Sequence, residues 1–154
     1  MKKIDLGQAI TILANIGVLV GILLLAYELH QNRQMMQAQS RSAIADGITD
    51  FLVNIGSNSE LSELWAQGGA GTTLDEAQYR QFSVLMTGFL RYLEGAHYQY
   101  RNGLYEPDEF ETQREQISRL FALPGYRRYW CDPGRPTVFT RDFMGEMDAL
   151  ISCP

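Results

Sequence analysis

Glu94-Gly-Ala-His97 is the sharpest chemical pattern in the sequence. A glutamate and a histidine three residues apart on a helix project from one side and could share a metal ion, as E-x-x-H pairs do in four-helix di-iron proteins. Such a centre needs a second E-x-x-H and two further inward carboxylates. The chain has 2 histidines, and the other, His30, follows directly on the apolar N-terminal segment. Glu94 also falls well away from the apolar stripe of its own helix, with His97 on the margin of that stripe. No metal is therefore expected, and Glu94, His97 and Arg101 read as a polar ladder flanking the core. Pairs at i, i+3 and i+4 stabilise a helix by only about 0.2–0.5 kcal/mol each. A helix–helix contact or a partner could use the same ladder.

Other chemistries find less support. No serine or cysteine has a neighbourhood that would activate it as a nucleophile, and so few histidines argue against a His-dependent triad. Gly68 to Gly71 are not followed by the Gly-Lys-Ser/Thr of a phosphate loop. The sequence thus predicts no catalytic residue, no cofactor and no enzyme. Trp65, Tyr92, Tyr98, Tyr100, Tyr105, Tyr129 and Trp130 could line a ligand pocket. The blander reading is a core built from large side chains, with tyrosine hydroxyls reaching water. Cys131 and Cys153 fit no metal spacing. They could form one disulfide in an oxidising compartment, or equally remain two thiols. Net charge is −5, and the basic residues are scattered apart from Arg127-Arg128 and Lys2-Lys3. Nucleic-acid binding relies on clustered Lys and Arg, so it is not expected.

The elements that would position these residues begin with an uninterrupted apolar run. Residues Ala9 to Tyr27 read AITILANIGVLVGILLLAY, with only Thr11 and Asn15 clearly polar. At about 1.5 Å per residue this run spans close to the roughly 30 Å hydrocarbon core of a bilayer. A cleaved signal peptide would show a shorter run and a small-x-small site, whereas this one ends in Leu25-Ala26-Tyr27-Glu28-Leu29. A buried soluble helix of this length would show a polar face. A retained anchor over residues 1–28 is the better reading. Lys2 and Lys3 precede the run while Arg33 and Arg41 follow it, so the positive-inside rule gives no orientation. Gly17 and Gly21 form a GxxxG, a flat strip on which another helix can pack closely in lipid. Asn15, on a different face, offers an interhelical hydrogen bond.

Residues 29–43 are strong helix formers without an apolar face, a solvated helical stalk. The domain then spans 44–154. Ile44, Ile48, Phe51, Leu52 and Ile55 mark where packing begins, with a stop at Gly56-Ser57-Asn58. Asn58 or Ser59 caps a second helix, ended by Gly68-Gly69. Thr73-Leu-Asp-Glu76 reads as a capping box, opening a helix with the stripe Phe82, Leu85, Met86, Phe89, Leu93, Ala96 and Tyr100. Asn102-Gly103 ends it. Pro107 suits a first helical position, with Phe110, Ile117, Leu120 and Phe121 as the buried face. Pro124-Gly125 breaks that helix, a short turn carries Tyr126, Tyr129 and Trp130, and Cys131 to Pro136 is too rich in turn residues to be helical. Thr140 can cap a last helix with Phe143, Met147, Leu150 and Ile151. No stretch alternates as a strand. The expected class is all-α: a long N-terminal transmembrane helix continuing into a small helical bundle.

Four segments carry a resemblance: Tyr27-Glu-Leu-His-Gln-Asn-Arg33, Phe89-Leu-Arg-Tyr-Leu-Glu94, Tyr98-Gln-Tyr-Arg-Asn-Gly-Leu104 and Pro124-Gly-Tyr-Arg-Arg-Tyr-Trp130. The chain resembles a broad group of uncharacterised bacterial proteins with one N-terminal transmembrane helix and a small helical domain. The resemblance covers most of the chain and implies that architecture and a single-pass placement in the bacterial inner membrane. It transfers no functional residue.

The residues together suggest a non-enzymatic, membrane-anchored protein, a homo-oligomer or an accessory subunit of a membrane complex. Its partners would be the lipid bilayer and a second copy or another membrane protein at Gly17 and Gly21. The alternative is a membrane-tethered sensor or small-ligand-binding domain with an aromatic-lined pocket.

Overall fold

The structure, a computed structural model, describes residues 6–134 and 138–153. Lys2 and Lys3, and Arg135 and Pro136 of the expected turn, lie outside the described residues. Among the described residues there are six helices and no strand: α1 (Leu6–Gly56), α2 (Ser59–Ala70), α3 (Glu76–Arg101), α4 (Pro107–Phe121), α5 (Pro124–Cys131) and α6 (Arg141–Leu150). The chain divides into two compact units, Met1–Ala38 and Gln39–Pro154. The division falls inside the expected stalk.

The first unit is helical throughout its described part. It is apolar on all sides over the Ala9–Tyr27 run, and its large side chains are exposed, Leu13 at 68%. Apolarity around the whole circumference marks a helix that needs an apolar environment on every side. α1 is long and apolar enough to cross a bilayer. Thr11 donates its hydroxyl to the Gly7 carbonyl at 2.9 Å, so its polar group is satisfied within the helix, as hydrocarbon would demand.

In the second unit burial starts at Ser40, one turn before the expected Ile44. Ile44 and Ile55 are buried, and Ile48 and Phe51 pack against the core. Leu52, expected among them, is 60% exposed. At 100° per residue it turns off the narrow stripe that the other four share. Asn58 caps α2, accepting from the backbone N–H of Glu60 at 3.0 Å and Leu61 at 3.2 Å.

α2 does not end at Gly68-Gly69. It runs through them to Ala70, and Gly71, at φ 77°, closes it in the left-handed conformation. The two glycines serve packing instead. A Cβ on Gly68 would run into the Phe82 ring, one on Gly69 into the Tyr126 ring, and one on Gly125 into the Gly68 carbonyl. α2 and α5 meet backbone to backbone because these positions carry no side chain.

The capping box of α3 lies two residues beyond the expected Thr73–Glu76. Asp75 accepts from the Gln78 N–H at 2.8 Å, and the Gln78 side chain accepts from the Asp75 N–H at 3.0 Å. Leu74 packs against the core, and the residue after it, Asp75, takes the N-cap. Of the expected stripe, Leu85 is half-buried and Tyr100 is exposed, its ring stacked on Phe110 at 4.0 Å. Leu90 and His97 are buried in addition.

Pro107 opens α4 as expected. Pro124 opens α5, so Tyr126, Tyr129 and Trp130 sit on a short helix rather than a turn. Trp130, Met86, Leu90, Met147 and Phe143 form the fully buried centre. The Trp130 indole donates to Asp148 at 2.9 Å, which satisfies its one polar group. Cys131 and Cys153 form a disulfide, with Cα atoms 5.5 Å apart, tying the end of α5 to the segment after α6.

Candidate functional site

Three places gather the residues that could recognise something, and the first is the polar ladder of α3. Glu94, His97, Tyr98 and Arg101 line an open groove of about 680 Å³ with Thr140 and Asp142. One Glu94 carboxylate oxygen accepts from Arg91 at 2.6 Å, and the other accepts from the Thr140 backbone N–H at 2.6 Å. Thr140 thus holds the N-cap position of α6 without a capping side-chain bond. The Glu94 contact joins α3 to the start of α6. Partial burial pushes the Glu94 carboxyl up, but the Thr140 N–H and the Arg91 guanidinium outweigh it and hold its pKa below 4.5.

His97 is 8% exposed, with the Phe110 and Phe143 rings each 6.0 Å from its own. Burial lowers its pKa, with Arg101 acting the same way and Glu146, Asp142 and Glu94 opposing. Arg101 forms an ion pair with Asp142. The direct contacts of the three ladder residues therefore reach α4, α6 and the residue that opens α6, while among themselves they act only through their charges on His97. No group of three His, Cys, Asp or Glu suited to a metal occurs among the described residues. The groove's charges are paired with each other, which makes it a clasp between helices.

The second place is apolar. Phe51, Trp65, Phe89, Tyr92, Ile117 and Leu120 line a cleft of about 300 Å³ between α1, α2, α3 and α4. Phe51 meets Trp65 edge-on at 5.4 Å and lies 5.4 Å from Phe89. The Gln113 side-chain amide donates to the Tyr92 hydroxyl at 3.0 Å. Burial, with Tyr105 nearby, pushes the Tyr92 pKa up to about 12 despite that bond.

The seven aromatics singled out in the sequence divide among several roles. Trp65 and Tyr92 line the cleft, Tyr129 and Trp130 belong to the core, Tyr98 is exposed, and Tyr100 and Tyr105 contact Phe110. Phe51, Phe89 and Gln113 were not among the residues read as pocket-forming. Gln113 left a signal, since it lies three residues after Phe110 and four before Ile117, on the face that α4 buries.

The third place lies in the first unit. A Cβ built on Gly17 or Gly21 meets nothing within 4 Å, and Asn15 is exposed. Gly17 and Gly21 leave an open strip four residues long in pitch, bordered by exposed Val18, Val20 and Leu24.

Comparison of the chain with protein-family models, curated proteins and solved structures finds no match. The described residues define the class: an all-α protein whose long N-terminal helix is followed by a smaller helical domain.

Proposed function

We propose that this is a non-enzymatic, single-span membrane protein of the bacterial inner membrane, acting as a homo-oligomer or as an accessory subunit of a membrane complex. The observation that carries the reading is the exposure of large apolar side chains all around the helix from Ile10 to Leu25. In water each such side chain forfeits about 1.5–3 kcal/mol of burial, so lipid is the solvent this surface suits. Within lipid, the strip at Gly17 and Gly21 favours close helix packing.

Two measurements test it. Full-length protein should pellet with membranes after detergent-free lysis and high-speed centrifugation, and recovery in the supernatant refutes the anchor. In mild detergent the wild type should run as an oligomer that Gly17→Leu with Gly21→Leu reduces to a monomer. A monomeric wild type removes the association reading.

The Cys131–Cys153 bond supports a domain on the oxidising side of the membrane, which puts the N-terminal end of the span toward the cytoplasm. Protease added to spheroplasts should then destroy a C-terminal epitope. Protection of the epitope would reverse the orientation.

A second reading, a membrane-tethered sensor or small-ligand-binding domain, is favoured by the aromatic cleft beside Tyr92.

A further inference from the structure

We infer that the outer face of α5 is an exchange site for a small thiol bearing a carboxylate, which adds to Cys131 as a mixed disulfide and releases Cys153.

The place comes first. Pro124, Arg127, Arg128 and Cys131 recur at i, +3, +4 and +7 on α5, so their side chains share the face opposite the buried Tyr126, Tyr129 and Trp130. That face borders a surface pocket of about 580 Å³, lined also by Ala122, Asp132 and Pro133. Small-molecule sites run to roughly 300–1,000 Å³.

Charge selects the ligand. Of the three charged residues lining the pocket, two are engaged. Asp132 accepts from the Gly134 N–H at 2.7 Å, and Arg127 donates from two nitrogens to the Ser152 carbonyl at 2.9 and 2.5 Å. Arg128 is exposed and enters no ion pair among the described residues. A carboxylate on the ligand therefore meets an uncommitted cation, whereas a cationic ligand faces two guanidiniums.

The disulfide decides which bond forms. An attacking thiolate bonds to one sulfur and expels the other. Attack at Cys153 would leave the charge on Cys131, the last residue of α5, where the negative end of the helix dipole disfavours it. Attack at Cys131 leaves the charge on Cys153, which is exposed to water directly after the carbonyl that Arg127 holds. The better-stabilised thiolate leaves faster, so Cys131 is the sulfur attacked. The incoming sulfur bonds to Cys131, the Cys131–Cys153 bond breaks, and its electron pair goes to Cys153, which takes a proton from water. One disulfide replaces another with no net oxidation. Ile151 stays buried and Ser152 stays held by Arg127, so Cys153 remains close enough to restore the original bond when the thiol is withdrawn.

Full-length protein in mild detergent tests this with three thiols, N-acetylcysteine (anionic), 2-mercaptoethanol (neutral) and cysteamine (cationic). Each rate is referred to that thiol's rate with a short unstructured peptide disulfide. After acid quenching and alkylation, peptide mapping by mass spectrometry should place the adduct on Cys131 and the alkyl group on Cys153. N-acetylcysteine should react about ten-fold faster than cysteamine, attraction of one charge adding to repulsion of the other, and molar salt should shrink the preference. Arg128→Ala, at an exposed position, should bring the two rates close together. Cys153→Ser, which cannot reclose the bond, should take label at Cys131 from the symmetrical disulfides of the same probes in the same order. Near-ultraviolet circular dichroism checks that both variants stay folded. Adducts on Cys153 of the wild type overturn the assignment of the attacked sulfur. Equal rates for the three thiols, or a preference that survives Arg128→Ala, overturn carboxylate recognition. No adduct with any thiol overturns the exchange site itself.

Discussion

Leucine meets opposite fates in the two units of this chain. In the first, Leu13 is 68% exposed and its neighbours along the helix are similar, whereas in the second Leu90 is fully buried. The residue type is the same, so hydrophobicity alone does not decide where a side chain ends. The second unit supplies its own cover: helices α2 to α6 surround Trp130, Met86 and Phe143 on all sides. The first unit has apolar residues around its whole circumference, and a single helix cannot cover itself. One segment is therefore long and apolar enough to cross a bilayer, and the other encloses a core of its own.

Substitutions can break or sharpen that contrast. The largest effect is expected at the centre of the second unit, where Trp130→Ala should destabilise the domain by about 3–5 kcal/mol. Leu19→Ala should leave the domain's unfolding unchanged. Urea unfolding followed by near-ultraviolet circular dichroism checks both, and a lowered midpoint for Leu19→Ala would show that the anchor residue supports the domain. Next comes the disulfide. Its half-cystines lie 22 positions apart, and releasing a loop of that size with Cys131→Ser and Cys153→Ser should cost about 3 kcal/mol.

A smaller effect follows from His97. Burial holds its folded-state pKa below 6.5, so the unfolded chain takes up the proton more readily. Its contribution is complete above pH 6.5 and is lost as pH falls through the folded-state value. Glu94, also lowered, from 4.5, acts with the same sign in more acidic solution. His97→Leu should flatten the first part of the decline in unfolding midpoint below pH 6.5 and leave the second. A slope that survives the substitution assigns the titration elsewhere. The smallest change belongs to Arg119→Ala, which removes an exposed pair with Glu115 at 3.1 Å and should alter stability by at most about 0.5 kcal/mol.

The helices themselves were legible because their signals are local. The spacing of Phe82, Met86, Phe89 and Leu93 names a buried face without any knowledge of what covers it, and Pro107 marks a helix start by its ring alone. Where two local signals competed, the longer-range contact chose. Thr73–Glu76 reads as a capping box, but the box forms at Asp75–Gln78, with Leu74 packed against the core just before it. Gly68-Gly69 carries the signature of a helix end, yet the approach of Phe82 and Tyr126 explains the glycines inside a continuing helix.

The site residues depend still more on distance along the chain. Glu94 looked peripheral because its partners in sequence are peripheral, while the bond that fixes it comes from Thr140, 46 positions away. The aromatic cleft draws on four helices, so no single window of sequence contains it.

The three glycines between α2 and α5 carry one more implication. Each is opposed by a ring or by backbone, so positions 68, 69 and 125 cannot diverge one at a time. A methyl group at 69 would require a smaller residue at 126, and one at 68 a smaller residue at 82. At 125 the obstacle is main chain, for which no compensating exchange exists. Variation across distant versions of this bundle should thus be paired at the first two positions and absent at the third, a pattern that deep mutational sampling could reveal without any assay of function.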